Sequence, residues 1–191
     1  MTRTPAPLPA ARRVDAERNR ERILDAARAA FADPDADVSM AEISRRAGVG
    51  SATLYRNFAN RRELLKALYV DEIDAVCQAV ATITGDSPEA ILVAWLRRFY
   101  VYYTSKRFVA AALLEHTDRD DPVFGAGYAR VLDASRPLLR AAQESGQIRT
   151  GLTLEQILDM VAAIAKIPGD AGYREPILRT ALDALRPAKD G

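Results

Sequence analysis

Between Ser39 and Phe58 the sequence reads SMAEISRRAGVGSATLYRNF, with apolar residues at helical spacing on both sides of a glycine. Met40, Ile43 and Ala47 mark a first helix, with Ser39 placed to cap it and Glu42 three residues on, the capping-box pattern. Gly48 supplies the backbone freedom that a helix end needs, and Val49 is a lone apolar anchor in the turn. Gly50 or Ser51 opens a second helix whose buried face is Leu54 and Phe58. Ser51, Ala52, Thr53, Tyr55, Arg56 and Asn57 are left facing outward. A helix face of small residues, an aromatic and an amide suits a DNA major groove better than bulk water. The spacing therefore predicts a helix-turn-helix whose second helix is the candidate reader.

This segment resembles the DNA-binding motif of the TetR family of bacterial transcriptional regulators. The matching residues are Ser39, Ile43, Ala47-Gly48-Val49, Thr53-Leu54-Tyr55, Phe58 and Glu63-Leu64-Leu65. The resemblance implies an N-terminal three-helix head joined by a long helix to an α-helical body. In such proteins the body holds a small-molecule inducer, and its last two helices pair with a partner's to form a homodimer. Two recognition helices then meet a roughly palindromic operator about one turn of duplex DNA apart, or a multiple of it.

Carried over residue by residue, the motif implies DNA contacts from Ser39, Met40, Gly50, Ser51, Ala52, Thr53, Tyr55, Arg56, Asn57 and Arg61. Ser51, Thr53 and Asn57 can reach base edges, and Arg56 a base or a phosphate. Ser39, Tyr55, Asn57 and Arg61 match backbone contacts, and the helix N-termini at Ser39 and Arg61 add amide groups pointed at phosphate. Many relatives have glycine or lysine where Ala52 and Ser51 stand, and histidine where Asn57 stands. The operator sequence therefore does not carry over.

Charge agrees with this division. Residues 1–66 hold 13 Lys+Arg against 9 Asp+Glu, and the remainder holds 14 against 17. A basic front half on a mildly acidic body fits a reader of phosphates joined to something else. One cysteine, Cys77, rules out an internal disulfide and points to a reducing compartment. No apolar run approaches a membrane span, and no signal-peptide core stands at the N-terminus, so the expected place is the cytoplasm, with no membrane partner.

Prolines 5, 7 and 9 forbid a helix at the start, so residues 1–14 read as a flexible arm. The arm is either a plain tail or one whose Arg3, Arg12 and Arg13 lie along the DNA backbone or in the minor groove. Residues 15–66 read as the DNA-binding domain, opened by a helix from about Asp15 to Ala32 on Ile23, Ala27, Ala30 and Phe31. The segment Asp33–Asp37, with Pro34, ends it. Residues 67–191 read as the ligand-binding and dimerisation domain. A long helix from Arg61 to about Thr84, capped by Asn60, joins the two.

Further helices follow: one from Ser87-Pro88-Glu89 through Tyr103, a shorter one from Phe108 to Glu115, and one opened by Pro122 that reaches Ser145 with Pro137 inside it. Thr153-x-x-Gln156 is a capping box for the next, which Pro168-Gly169 stops, and a last one runs from about Arg174 to Arg186. With no strand-like alternation of useful length, the fold class is all-α.

Aromatic residues concentrate between Trp95 and Tyr128. A stripe at this spacing is ordinary core, but buried tyrosine hydroxyls need partners, so several at one place make a polar-lined cavity. Trp95, Phe99, Tyr102, Tyr103, Phe108, His116, Phe124 and Tyr128 are the candidate pocket walls. His116, the only histidine, has no partners at ligand spacing, so no metal and no cofactor is expected. Cys77 reads as a small buried apolar residue, a redox role requiring a lowered pKa. The sequence lacks a clustered His/Cys/acid set, a Gly-rich phosphate loop and GxSxG, so an enzyme is not expected. The rival reading is a DNA-binding or structural dimer of the same fold with no small-molecule ligand.

Overall fold

The computed structural model describes residues 10–31, 38–118 and 121–187, with side chains at all of these but 10–13 and 105–108. Among the described residues every regular element is helical. The helices are α1 Ala10–Ala30, α2 Met40–Ala47, α3 Ser51–Asn57, α4 Arg61–Thr82, α5 Pro88–Leu114, α6 Pro122–Glu144, α7 Leu154–Lys166 and α8 Ala171–Asp183. They form two compact units, one of Met1–Leu68 with Phe108–Thr117 and the other of Tyr69–Arg107 with Asp118–Gly191.

The first unit, the head, packs α1, α2 and α3 on one another. Ile23 and Ala27 of α1, Ile43 of α2, Leu54 of α3 and Leu64 and Leu65 of α4 are all fully buried in it. The caps follow from the residues that supply them. Ser39 Oγ accepts from the Glu42 amide at 3.2 Å, and Asn60 Oδ1 accepts from the Glu63 amide at 3.0 Å. Gly48 ends α2 at φ 61°, left-handed backbone that a side chain resists, and the Gly48 and Val49 amides bond back to Arg45 and Ser44 carbonyls.

The second unit, the body, has one core drawn from α4 to α8, with Trp95, Leu92 and Leu96 of α5 and Ile157 and Val161 of α7 at its centre. The Trp95 indole N–H donates to the Val76 carbonyl at 3.3 Å, which lets a polar tip sit in that core. The capping box at α7 is complete in both directions between Thr153 and Gln156. Buried Gly127 lets α6 approach α4 closely, since a Cβ there would lie 3.0 Å from the Tyr69 hydroxyl.

Several boundaries differ from the sequence expectations. Helix α1 begins at Ala10, not Asp15, because nothing after Pro9 opposes a helix. Residues 10–14, Arg12 and Arg13 with them, therefore belong to α1 and not to an arm. Residues 1–9 and the expected stop at Asp33–Asp37 lie outside the described residues. The two helices expected over Ser87–Tyr103 and Phe108–Glu115 are one, α5, since Thr104–Arg107 contains no glycine or proline to end it. Its end, with Val109 and Leu113 buried, falls in the head unit, although the expected boundary put every residue past 66 in the body. Helix α8 starts at Ala171 because Asp170 caps it, accepting from the Tyr173 amide at 2.8 Å.

Candidate functional site

Helix α3 is seven residues long, and Leu54 is its one buried side chain. Leu54 and the following Phe58 anchor it, and everything else faces outward or half outward. Ser51, Ala52, Arg56 and Tyr55 are exposed, Tyr55 at 51%, while Thr53 and Asn57 are half-buried. Gly50 is the N-cap and offers no side-chain bond, and Met40 is half-buried at the start of α2. The structure thus brings nine of the ten candidate DNA contacts onto α3 and the first turn of α2.

Side chains of this face bond one another. Arg56 Nη2 donates to Thr53 Oγ1 at 3.0 Å, and Asn57 Nδ2 donates to the Thr53 carbonyl at 2.8 Å. The turn beneath is braced: Ser44 Oγ donates to the Val49 carbonyl at 2.6 Å, and Arg22 Nη2 donates to the Gly48 carbonyl at 3.2 Å.

Most of the head's arginines have partners within it. Arg45 and Arg46 both bond the Glu42 carboxylate, at 2.8 and 2.6 Å. The bonds from Arg45 and then Arg46 hold that carboxyl down from its ordinary value of 4.5 to about 2. Glu42 therefore does not complete the capping box at Ser39; only the backbone half forms. The Arg20 guanidinium lies 4.7 Å from the Phe58 ring centroid. Arg61, the tenth candidate, is turned inward: it donates to the Val38 carbonyl and covers the Phe31 ring.

The candidate pocket residues do not form one set. Trp95 and Phe99 stack at 5.7 Å within the body core, 0% and 3% exposed, and so act as core there. Tyr102 and Tyr103 are half-buried and pack on Phe99 at 6.3 and 5.2 Å. Phe124 meets Tyr69 edge-on at 5.2 Å, and Tyr128 is 38% exposed. His116 is exposed in the turn after α5 and belongs to the head unit, because α5 continues past Tyr103 into that unit. The Phe108 side chain lies outside the described residues.

Sequence reasoning missed Tyr69 and Glu72. Burial, then the neighbouring Tyr69 and Tyr103 phenols and the Glu72 carboxylate, push the Tyr102 phenol far above its ordinary value. Burial also raises the Tyr69 and Tyr103 phenols. A signal existed: Tyr69 and Glu72 fall four residues after Leu65 and Leu68, on the apolar stripe of α4, where a buried carboxylate is unusual. Cys77 is half-buried and burial raises its thiol, the opposite of what a redox sensor needs.

Among the described residues no group of three or more His, Cys, Asp or Glu could hold a metal ion, and no helix is long and apolar enough to cross a membrane. Helix α7 turns its apolar face into its own core and leaves Gln156, Asp159, Ala163 and Lys166 exposed. Tyr173 of α8, 61% exposed, is the large apolar group left outside on these two helices.

Residues 23–68 match the family described as bacterial regulatory proteins, tetR family. Residues 87–187 match a second, the transcriptional regulator SbtR-like C-terminal domain. An uncharacterized HTH-type transcriptional regulator of Mycobacterium bovis is 31% identical over 151 residues, 76% of this chain and 77% of that protein. The crystal structure of a TetR transcriptional regulator from Streptomyces coelicolor superposes with a TM-score of 0.72 at 33% identity, over 89% of this chain and 99% of that one. A TetR regulator from Mycobacterium vanbaalenii gives 0.73 at 28% identity, over 91% and 98%.

Proposed function

This chain is a DNA-binding transcriptional regulator of the TetR family, and from that premise we propose that it is a cytoplasmic repressor that binds a roughly palindromic operator as a homodimer and is released by a small-molecule inducer. The observation that carries the DNA reading is α3, a helix with one buried side chain and an outward face of Ser51, Thr53, Tyr55, Arg56 and Asn57 on a braced turn. Ser39 and Met40, with Gly50 and Ala52, complete the surface laid against the duplex. Dimerisation would pair α7 and α8 with those of a second copy, with Tyr173 as the apolar contact.

The inducer would lie in the body beside Tyr102, Tyr103, Tyr69 and Phe124. A ligand that binds only one arrangement of the body shifts operator affinity by linkage, and a coupling of roughly 1–3 kcal/mol gives about 5–150-fold. A second reading, a DNA-binding dimer without a ligand, is favoured by one observation: Trp95 and Phe99 are packed in the core.

The experiment is capture of genomic DNA fragments by the purified protein at moderate salt, with sedimentation to give its mass in solution. Enrichment of a palindromic sequence by a dimer is the expected result. A monomer that prefers no duplex over random sequence would refute the proposal, and an operator complex indifferent to compounds made by the neighbouring genes would favour the second reading.

A further inference from the structure

Arg61 is the first residue of α4, and its side chain joins two places that the sequence keeps apart. Phe31 closes α1, and Val38 stands one residue before the Ser39 cap of α2; both are buried. The Arg61 guanidinium carbon sits 5.0 Å from the centroid of the Phe31 ring, and Nη1 donates to the Val38 carbonyl. One half-buried cation therefore touches the end of α1, the start of α2 and, through its own backbone, the start of α4. Arginine can do this because a planar guanidinium stacks by its face while donating by its edge.

We propose that Arg61 is a positioning residue of the DNA-reading head: it fixes where α2 begins, and through α2 the placement of α3, and does not itself carry a phosphate. Ser39 caps α2 from the residue next to Val38, and α2 packs on both α1 and α3, so a shift at Val38 passes directly to the reading helix. To reach a phosphate the guanidinium would leave the Val38 carbonyl without its donor and the Phe31 ring uncovered. Losing the partner of a buried carbonyl outweighs what an exposed ion pair returns. The remaining basic side chain of the reading face, Arg56, is exposed and bonds Thr53 beside it.

The test uses the full chain with Arg61→Ala, Arg61→Lys and Phe31→Leu, and its first arm needs no DNA. Amide hydrogen exchange over α2 and α3 is expected to rise in Arg61→Ala and Phe31→Leu, with Arg61→Lys in between; unchanged exchange in α2 overturns the inference. The second arm follows binding against salt, on the duplex that the wild type enriches from a randomised pool and on a scrambled one. Expected is a roughly three- to tenfold loss on the enriched duplex, the order of one stacked and hydrogen-bonded contact, with the slope of log affinity against log salt unchanged.

A slope flatter by about one unit would make Arg61 a phosphate contact. A lowered melting temperature with unchanged exchange in α2 and unchanged affinity would make it merely structural. Either outcome overturns the inference. Should Arg61→Ala fail to fold, Phe31→Leu, which keeps every charge, decides the matter through exchange in α2. The DNA arm rests on the proposed function: if the wild type enriches no duplex, that reading fails, and the exchange arm still decides this one.

Discussion

Tyr55 and Trp95 are both aromatic residues on helices, and the molecule uses them in opposite ways. On α3 the ring is half in solvent, while on α5 the indole is wholly enclosed and hydrogen-bonded to the backbone. The difference lies in the helix rather than in the residue. Helix α3 has seven residues and one edge to bury, so its remaining faces stay open. Helix α5 has 27, and in the body its apolar residues share one core with four other helices, so an aromatic there is enclosed unless something keeps it out. An aromatic stripe is thus weak evidence for a ligand, and a lone aromatic on a short helix is better evidence for a partner surface.

The largest effect expected from this comparison is on Trp95. Trp95→Ala should lose about 3–5 kcal/mol of stability by urea denaturation, the range for a large aromatic removed from a packed core. A small loss would mean that the indole lines open space, which would break the contrast. Tyr55→Ala should do the reverse: stability within about 0.5 kcal/mol of wild type, as for a surface residue, and duplex affinity lower by about 1–3 kcal/mol. Wild-type affinity in titrations with labelled duplex would remove Tyr55 from the interface.

Gly48→Ala tests the turn that holds α3 open. Its φ of 61° and the Arg22 guanidinium 2.6 Å from an added Cβ both oppose a side chain. A loss of about 1–2 kcal/mol is expected from the left-handed backbone, read by thermal melting, and a larger one would mean that Arg22 cannot move aside. The smallest effect belongs to Glu42. Its carboxyl is depressed from 4.5 to about 2, so the stabilisation from Arg45 and Arg46 is present at neutral pH and is lost as the pH falls through that window. Glu42→Gln should therefore differ from wild type at neutral pH and converge with it near pH 2; a gap that widened on acidification would contradict the assignment.

How far the sequence carried depends on whether a feature was local. The cap at Ser39, the left-handed Gly48 and the closed box at Thr153 involve residues within a turn of one another, and each is where its pattern puts it. Lengths were less legible. Nothing in Thr104–Arg107 signals a stop or forbids one, so spacing alone divides a single helix into two. The aromatic set was least legible, because spacing gives the face of a helix but not what covers it.

The sequence by itself determined that this chain is all-helical, that Leu54 and Phe58 anchor a short helix after a glycine turn, and that the residues between them point away. Those results follow from backbone sterics and helical period, which act over a few residues. Only the tertiary structure decided that Arg61 faces Phe31 and Val38, that Glu42 holds two arginines instead of closing its box, that Trp95 is core and that His116 stands with the head. For Arg61, Trp95 and His116 the outcome depends on which groups from distant parts of the chain arrive within a few ångströms, and no local rule encodes that distance. For Glu42 the partners are three and four residues away, and helical spacing allows the pairing without choosing it over the cap.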